Sequence, residues 1–532
     1  MLYLYNKIGH VFAKETQKRQ GTRDKGVQYN SYRYIIPHLL SLCALPFPGL
    51  CTTISLHALI AGGSMPTQVF REYDIRGVVG SELSEDFVTG LARAIAAYWA
   101  EHGVKRVALG MDARLSSPLF KDILKEGIAS SGIDVIDIGM VPTPVMYFSL
   151  FRLDLDGGLA VTGSHNPPDN NGFKIALGKT TIYGQEILKI RKYLEQGKIV
   201  RGRGNVSDYD LIPEYVQDIL ARISPCTRRL KVVLDPGNGV GGAPAMAVFK
   251  GLGMEVTGIC LEPDGRFPHH HPDPTLTEGI TMLRTEVLAQ KADIGIGLDG
   301  DADRLGVVDA RGNVVYGDML TAILARAILK ERPGEKIIGE VKCSKVLFDE
   351  IAKAGGIPIM GRVGHSLMKA RLLEEKAALA GEMSGHIFFR DRWYGFDDGI
   401  YAAARLLEVL SRAEHPQTLF DSLPRMENTP EIRLHCPDEI KFRVVSEFKA
   451  YAKVRYENCL DIDGVRFEEG DAWGLVRPSN TQPVIVLRFE ASHKDKLDTL
   501  AQDTRHKLKE IMERMMEGRG GPRPSTPRGD RA

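Results

Sequence analysis

One pattern recurs along the chain and constrains its fold more than any other. Lys105-Arg-Val-Ala-Leu-Gly-Met-Asp112, Lys231-Val-Val-Leu-Asp-Pro-Gly-Asn238 and Glu335-Lys-Ile-Ile-Gly-Glu-Val-Lys342 are each a short apolar run that ends in a polar turn. Such a run predicts a strand buried on both faces. Helical periodicity flanks each one; Leu320, Ile323, Leu324, Ala327 and Ile328 mark one face of a helix. Strands alternating with helices, met three times, predict three similar α/β units. The last stretch reads differently. Cys459 to Phe467 carries the hairpin signal Asp463-Gly464, Pro483 to Phe489 reads as a strand, and Lys494 to Met516 as a charged amphipathic helix. The expected units are therefore 65–210, 211–313, 314–425 and an α+β unit at 426–517. A chain of 532 residues holds them comfortably.

The ends do not share this patterning. No Asp, Glu, Lys or Arg occurs from Tyr34 to Phe70. A signal peptide or membrane anchor is one reading, but Pro37, Pro46, Pro48 and Gly49 interrupt the apolar run. Its longest Pro-free stretch, Gly49 to Ser64, falls short of the ~20 residues a span needs. An upstream extension is the preferred reading of residues 1–64. Gly518 to Ala532 has the composition of a disordered tail. With 69 Lys plus Arg against 68 Asp plus Glu, no charge excess draws the chain to nucleic acid. Seven scattered cysteines form no C-x-x-C pair, which disfavours a disulfide framework or zinc finger and favours the cytoplasm.

Four polar loops carry the candidate chemistry. In Val161-Thr-Gly-Ser-His-Asn-Pro-Pro-Asp-Asn-Asn-Gly-Phe-Lys-Ile175, a strand over 159–162 delivers Ser164 to the loop. A capped turn would look the same. The alternative is a nucleophilic or phosphorylated Ser164, with Lys174 or His165 as proton carrier. In Gly297-Leu-Asp-Gly-Asp-Ala-Asp-Arg-Leu-Gly306, three carboxylates (Asp299, Asp301 and Asp303) repel one another unless a cation joins them, and hard oxygen ligands select Mg²⁺ or Ca²⁺. An EF-hand is excluded, because Arg304 and Ala310 occupy the positions of its Gly and Glu. Arg304 suits a site where phosphate also binds. In Gly381-Glu-Met-Ser-Gly-His-Ile-Phe-Phe389, Glu382, Ser384 and His386 alternate, so an extended chain would turn them to one face and offer them to sugar hydroxyls. Arg477-Pro-Ser-Asn-Thr-Gln-Pro483 has the composition of a phosphate cradle, or of a surface turn.

Together these loops resemble the α-D-phosphohexomutase superfamily, and most of all its bacterial phosphomannomutase/phosphoglucomutase group. The resemblance covers about residues 65 to 517, keeps the loop order, and includes Phe70-Arg-Glu-Tyr-Asp-Ile-Arg-Gly77 and Phe267-Pro-His-His-His-Pro-Asp-Pro274. Ala302 departs from the Gly frequent at that place. The resemblance implies four domains around a central cleft, and reversible phosphoryl transfer between C1 and C6 of mannose and glucose phosphates. The transfer would pass through a phosphoserine and a 1,6-bisphosphate. Ser164 would be that phosphoserine, and Mg²⁺ would bind it with Asp299, Asp301 and Asp303. Lys174 and His365 would carry protons; Glu382 and Ser384 would hold the sugar. Arg477, Ser479, Asn480 and Thr481 would hold the non-transferring phosphate, with Tyr73, Arg76, Arg304 and Lys342 lining the cleft. Glucose 1,6-bisphosphate or mannose 1,6-bisphosphate would be the activator. A monomer without stable membrane association is expected.

Other readings explain less. Gly237-Asn-Gly-Val-Gly-Gly242, with Glu262 further on, meets the dinucleotide fingerprint, but Pro236 disturbs its turn and three loops stay unexplained. A non-catalytic sugar-phosphate binder would not need a reactive Ser164. Within the family, phosphoglucosamine mutases carry a different sugar loop. His269-His270-His271 reads as a structural linker rather than a metal tract.

Overall fold

The computed structural model describes residues 66–479 and 483–517. The segment read as an extension or anchor, the C-terminal tail, and Asn480 and Thr481 lie outside the described residues.

Each of the three recurring runs is the central parallel strand of a mixed sheet, and the three sheets share one plan; in the first, Ile75–Val78 is added at the edge beside Asn170–Leu177. Strand Arg106–Met111 lies parallel between Asp134–Met140 and Gly157–Val161, and Asn170–Leu177 runs antiparallel beside Gly157–Val161. In the second sheet Lys231–Asp235 lies between Glu255–Gly258 and Ile294–Leu298, with Leu305–Asp309 antiparallel to the latter. In the third, Lys336–Glu340 lies between Ile357–Gly361 and Leu379–Gly381, and Ile387–Phe389 is antiparallel.

The apolar runs are continuous because these strands are buried on both faces. Val107 and Leu109 join one apolar core while Ala108 joins another; Val232 and Leu234 separate from Val233 in the same way. One core extends from Ala108 in the first sheet through Leu234 and Ile296 to Ile337 and the helix Gly399–Arg412, and so binds the three sheets together. Helix ends follow local chemistry. Ser84 and Asp398 accept the backbone N–H of Phe87 and Tyr401, which caps the helices Glu85–Glu101 and Gly399–Arg412.

The last sheet, of six strands, is built differently. Asn458–Leu460, Val465–Glu469, Ala472–Pro478 and Val484–Ala491 form an antiparallel meander. Gly464 takes the positive φ of 79° that the Asp463-Gly464 turn requires. The helices Asp438–Arg455 and Lys494–Glu517 share a separate core with this sheet. At its junction with the third unit, Val341 packs with Trp473 and Leu475 in a small apolar cluster flanked by polar contacts. Arg466 donates to the carbonyls of Val341 and Cys343, and Glu490 accepts from Ser344 and Trp473. Among the described residues no helix is long and apolar enough to cross a membrane.

Candidate active site

The shared plan explains why three of the four loops meet. Each lies between the last parallel strand and its antiparallel neighbour: 162–169, 299–304 and 382–386. Three equivalent sheet ends thus feed one cleft of about 590 Å³.

Ser164 sits in the first loop with φ 48°, the left-handed region, and is 2 % exposed. Backbone held there by its surroundings is typical of functional loops. Its Oγ donates to Asp299 Oδ2 at 2.9 Å and lies 3.1 Å from His165 Nδ1. The loop is held from beneath by Arg114, whose guanidinium is fully buried. Arg114 donates to the carbonyls of Ser164 (2.8 Å), Asn166 (2.6 Å), Pro167 (2.5 Å) and Asn170 (2.8 Å), and pairs with Asp112. Gly163 is required here, since a Cβ would fall 2.4 Å from Arg114 Cζ.

The second loop places Asp299, Asp301 and Asp303 fully buried, with ligand oxygens within 4.8 Å of one another. Burial and the two neighbouring carboxylates push Asp299 well above the usual carboxylate range. Asp301 is held low despite burial, by Lys174 and by Thr143, whose hydroxyl donates to it at 2.6 Å. Lys174 Nζ spans Asp301 Oδ2 (2.7 Å) and Asp303 Oδ2 (2.5 Å); burial opposes its charge, but these carboxylates outweigh it. Asp301 Oδ1 and Asp303 Oδ1 are buried without any donor. Orphaned carboxylate oxygens beside a serine hydroxyl fit a hard divalent cation. Ala302 stands at φ 58°, which accounts for the frequency of Gly at this place in the family resemblance.

The third loop corrects one expectation. Residues 382–386 form a turn, with Gly385 at φ 92°, and not an extended run. Glu382 and Ser384 stay together: Ser384 Oγ donates to Glu382 Oε2 at 3.1 Å, and Glu382 Oε1 accepts Gly364 N–H at 2.7 Å. His386 points elsewhere, toward Arg304, Asp303 and Asp397. Gly364 starts the helix that carries His365, and Tyr73 packs against it while donating to Val363 O at 2.7 Å. Burial pushes the Tyr73 hydroxyl up to about 12. His165 and His365 are both shifted down, by burial first. Arg304 and Arg76 then add to the shift at His165, and Lys369 at His365. Both rings are therefore neutral near pH 7 and able to accept a proton.

The cleft wall brings together Tyr73, Arg76, Ser164, Lys174, Arg304, Lys342, His365, Glu382, Ser384 and His386. Arg477 and Ser479 are buried but are not among the residues that line this wall; Arg477 pairs with Asp463 at 3.1 Å. Several residues carried no sequence signal. Arg488 lines the cleft with Nε and Nη1 buried and unpartnered, while Arg114, Lys369 and Asp397 lie behind it. In 484–491 only Arg488 and Glu490 interrupt an otherwise apolar strand.

The glycine-rich run at 237–242 has another use. Val240 N–H donates to Gly300 O, and a Cβ on Gly239 would fall 2.5 Å from that oxygen, so the run buttresses the acidic loop. His270 Nε2 meets Asp235 Oδ2 at 3.1 Å, tying the linker to a strand end, with Cys260 close to both.

Three like sheets and a fourth unit, converging on a serine, buried carboxylates and fixed cations, define an enzyme that handles phosphorylated substrates. The chain belongs to the phosphoglucomutase/phosphomannomutase family. The profiles of its alpha/beta/alpha domains I, II and III match residues 67–199, 213–312 and 316–426, and that of its C-terminal domain matches 431–507. The chain is 42 % identical over 449 residues to a phosphomannomutase/phosphoglucomutase of Pseudomonas aeruginosa, covering 84 % of this chain and 97 % of that one. It is 43 % identical over 433 residues to a phosphoglucomutase of Neisseria gonorrhoeae, covering 80 % and 94 %. The crystal structure of a phosphoglucomutase/phosphomannomutase family protein from Burkholderia thailandensis superposes with a TM-score of 0.80 at 42 % identity, over 84 % of this chain and 97 % of the other.

Proposed function

We propose that the protein interconverts the 1- and 6-phosphates of glucose and mannose through a phosphoserine at Ser164. The carrying observation is the Ser164 hydroxyl at 2.9 Å from Asp299, beside the orphaned oxygens of Asp301 and Asp303. Mg²⁺ fits these three carboxylates and a phosphoserine oxygen, and when bound it withdraws charge from the phosphoryl group. Glu382 and Ser384 hold two sugar hydroxyls. Arg477, Ser479, Asn480, Thr481 and Arg488 hold the phosphate that is not moving. Arg304 stabilises the charge in flight, and His365 takes the proton of the attacking hydroxyl, or Lys174 does once it has left Asp301 and Asp303 and given up its own proton. Ser164 gives its phosphate to the sugar, the 1,6-bisphosphate turns over, and Ser164 accepts the other phosphate. Glucose 1,6-bisphosphate or mannose 1,6-bisphosphate restores any enzyme that loses its phosphate.

Dual substrate use is supported by the name of the Pseudomonas aeruginosa relative, and epimers at C2 can both fit if Glu382 and Ser384 carry recognition through other hydroxyls. A cytoplasmic location agrees with free thiols at all five described cysteines. The test combines intact mass with steady-state rates on glucose 1-phosphate, mannose 1-phosphate and glucosamine 1-phosphate, with bisphosphate and Mg²⁺ present. The wild type is expected to carry one phosphate that Ser164→Ala lacks, and the variant to lose nearly all turnover. Preference for the amino sugar, or a phosphate that persists in Ser164→Ala, overturns the reading.

A further inference from the structure

Asp397 is fully buried behind the cleft wall. Its Oδ1 accepts from Lys369 Nζ at 2.8 Å. Its Oδ2 lies 3.1 Å from His386 Nδ1 and 3.4 Å from His365 Nδ1, and Oδ2 and His386 Nδ1 face each other as buried atoms without a formed hydrogen bond. On the far side of the ring, Arg304 Nε–H donates to His386 Nε2 at 3.0 Å. A guanidinium has no lone pair, so His386 Nε2 must be the acceptor and carry no proton. The one proton of the neutral ring then sits on Nδ1, against Asp397. Asp303 Oδ1 lies further from Nδ1, at 3.5 Å, and belongs to the candidate cation cluster. Backbone pairing with Phe388 and the capping role of Asp398 keep Asp397 in place.

We propose that Asp397 is a positioning residue that fixes His386 in the Nδ1–H tautomer, so that the ring accepts from Arg304 and aims its guanidinium at the transferring phosphate. This rests on the reading of Arg304 as the group that meets the moving phosphoryl. Lys369 makes the arrangement directional. In Asp397→Asn, the donor-only ammonium takes the amide oxygen, which leaves the NH₂ group facing His386 Nδ1. The ring must then protonate Nε2 instead, and the contact with Arg304 becomes donor against donor.

Ring nitrogen–proton correlation spectra of ¹⁵N-histidine-labelled protein report the tautomer directly. The His386 signal is the one missing from His386→Gln. The wild type is expected to show Nδ1–H and Asp397→Asn to show Nε2–H. The kcat of Asp397→Asn on glucose 1-phosphate should fall about a hundredfold, the scale of a misplaced transition-state donor, with KM changed less than about threefold. In the His386→Gln background the same substitution should cost almost nothing further. An Nε2–H ring in the wild type, or full additivity of the two substitutions, overturns the proposal. Should Asp397→Asn not fold, the wild-type tautomer alone decides. Absence of turnover on every hexose phosphate would count against the mutase reading and leave the tautomer test standing.

Discussion

At the scale of single residues, the serine loop works through its support. Arg114 spends its donors on four carbonyls and Asp112, so the curvature around Ser164 is imposed from within the protein and does not depend on ligand. Gly163→Ala drives a methyl into that guanidinium, which cannot retreat. The expected cost is about 2–3 kcal/mol in urea unfolding, with kcat down about 10²-fold because the reacting oxygen is displaced. Wild-type turnover in a folded Gly163→Ala protein would remove the scaffold role. Lys174 shows how far local sequence misleads about charge. Its spacing from Ser164 suggests a proton carrier for that serine, yet its ammonium lies between Asp301 and Asp303. Proton transfer by Lys174 requires those contacts to loosen.

At the scale of elements, the helix Gly399–Arg412 positions the carboxylate that backs the cleft, and its cap is electrostatically costly. Asp398 is fully buried, and burial pushes its carboxyl from 3.8 up to about 7, against the bonds from Tyr401 N–H and the Tyr215 hydroxyl. The folded pKa is the higher one, so the ionised form is disfavoured by folding. That penalty is absent below about pH 4, grows as pH rises, and is complete above about pH 7. Asn keeps the capping oxygen without the charge. Asp398→Asn is therefore expected to gain about 1–2 kcal/mol at pH 8, after the cost of burying the amide, and nothing at pH 4. Thermal melts at the two pH values check this; an equal shift at both would refute it. The strands obey a simpler rule. Their apolar runs were readable because residues on both faces enter cores, whereas the short strand Ile387–Phe389 sits beside a turn that alternation alone assigns wrongly.

At the scale of the whole molecule, three sheets share one continuous core, while the C-terminal unit has its own and meets them through a small apolar cluster at Val341, Trp473 and Leu475 and polar contacts at Arg466 and Glu490. Such a junction suits relative motion. We read 65–210, 211–313, 314–425 and 426–517 as the four domains, with a hinge near 426. Residues 428–431 line the active cleft and 423–428 line a second cavity of about 320 Å³ behind it. Movement there would let one phosphate cradle serve both orientations of the bisphosphate. Small-angle scattering with saturating glucose 1-phosphate should show a smaller radius of gyration than without it; superimposable profiles would rule out the hinge.

The chain's own order of residues determined the α/β class, the threefold recurrence, and the four loops with Ser164 and the three aspartates. Those features are local: buried strands are continuous apolar runs, and a cluster of carboxylates in ten residues is visible without a fold. Only the tertiary structure decided which charges face each other. Arg304 and His386 are 82 residues apart, and Ser164 and Asp299 are 135 apart. Arg114, Lys369, Asp397 and Arg488 look like ordinary surface charges in sequence. Burial by distant elements removes their water, and a desolvated charge acts according to the partner the fold supplies.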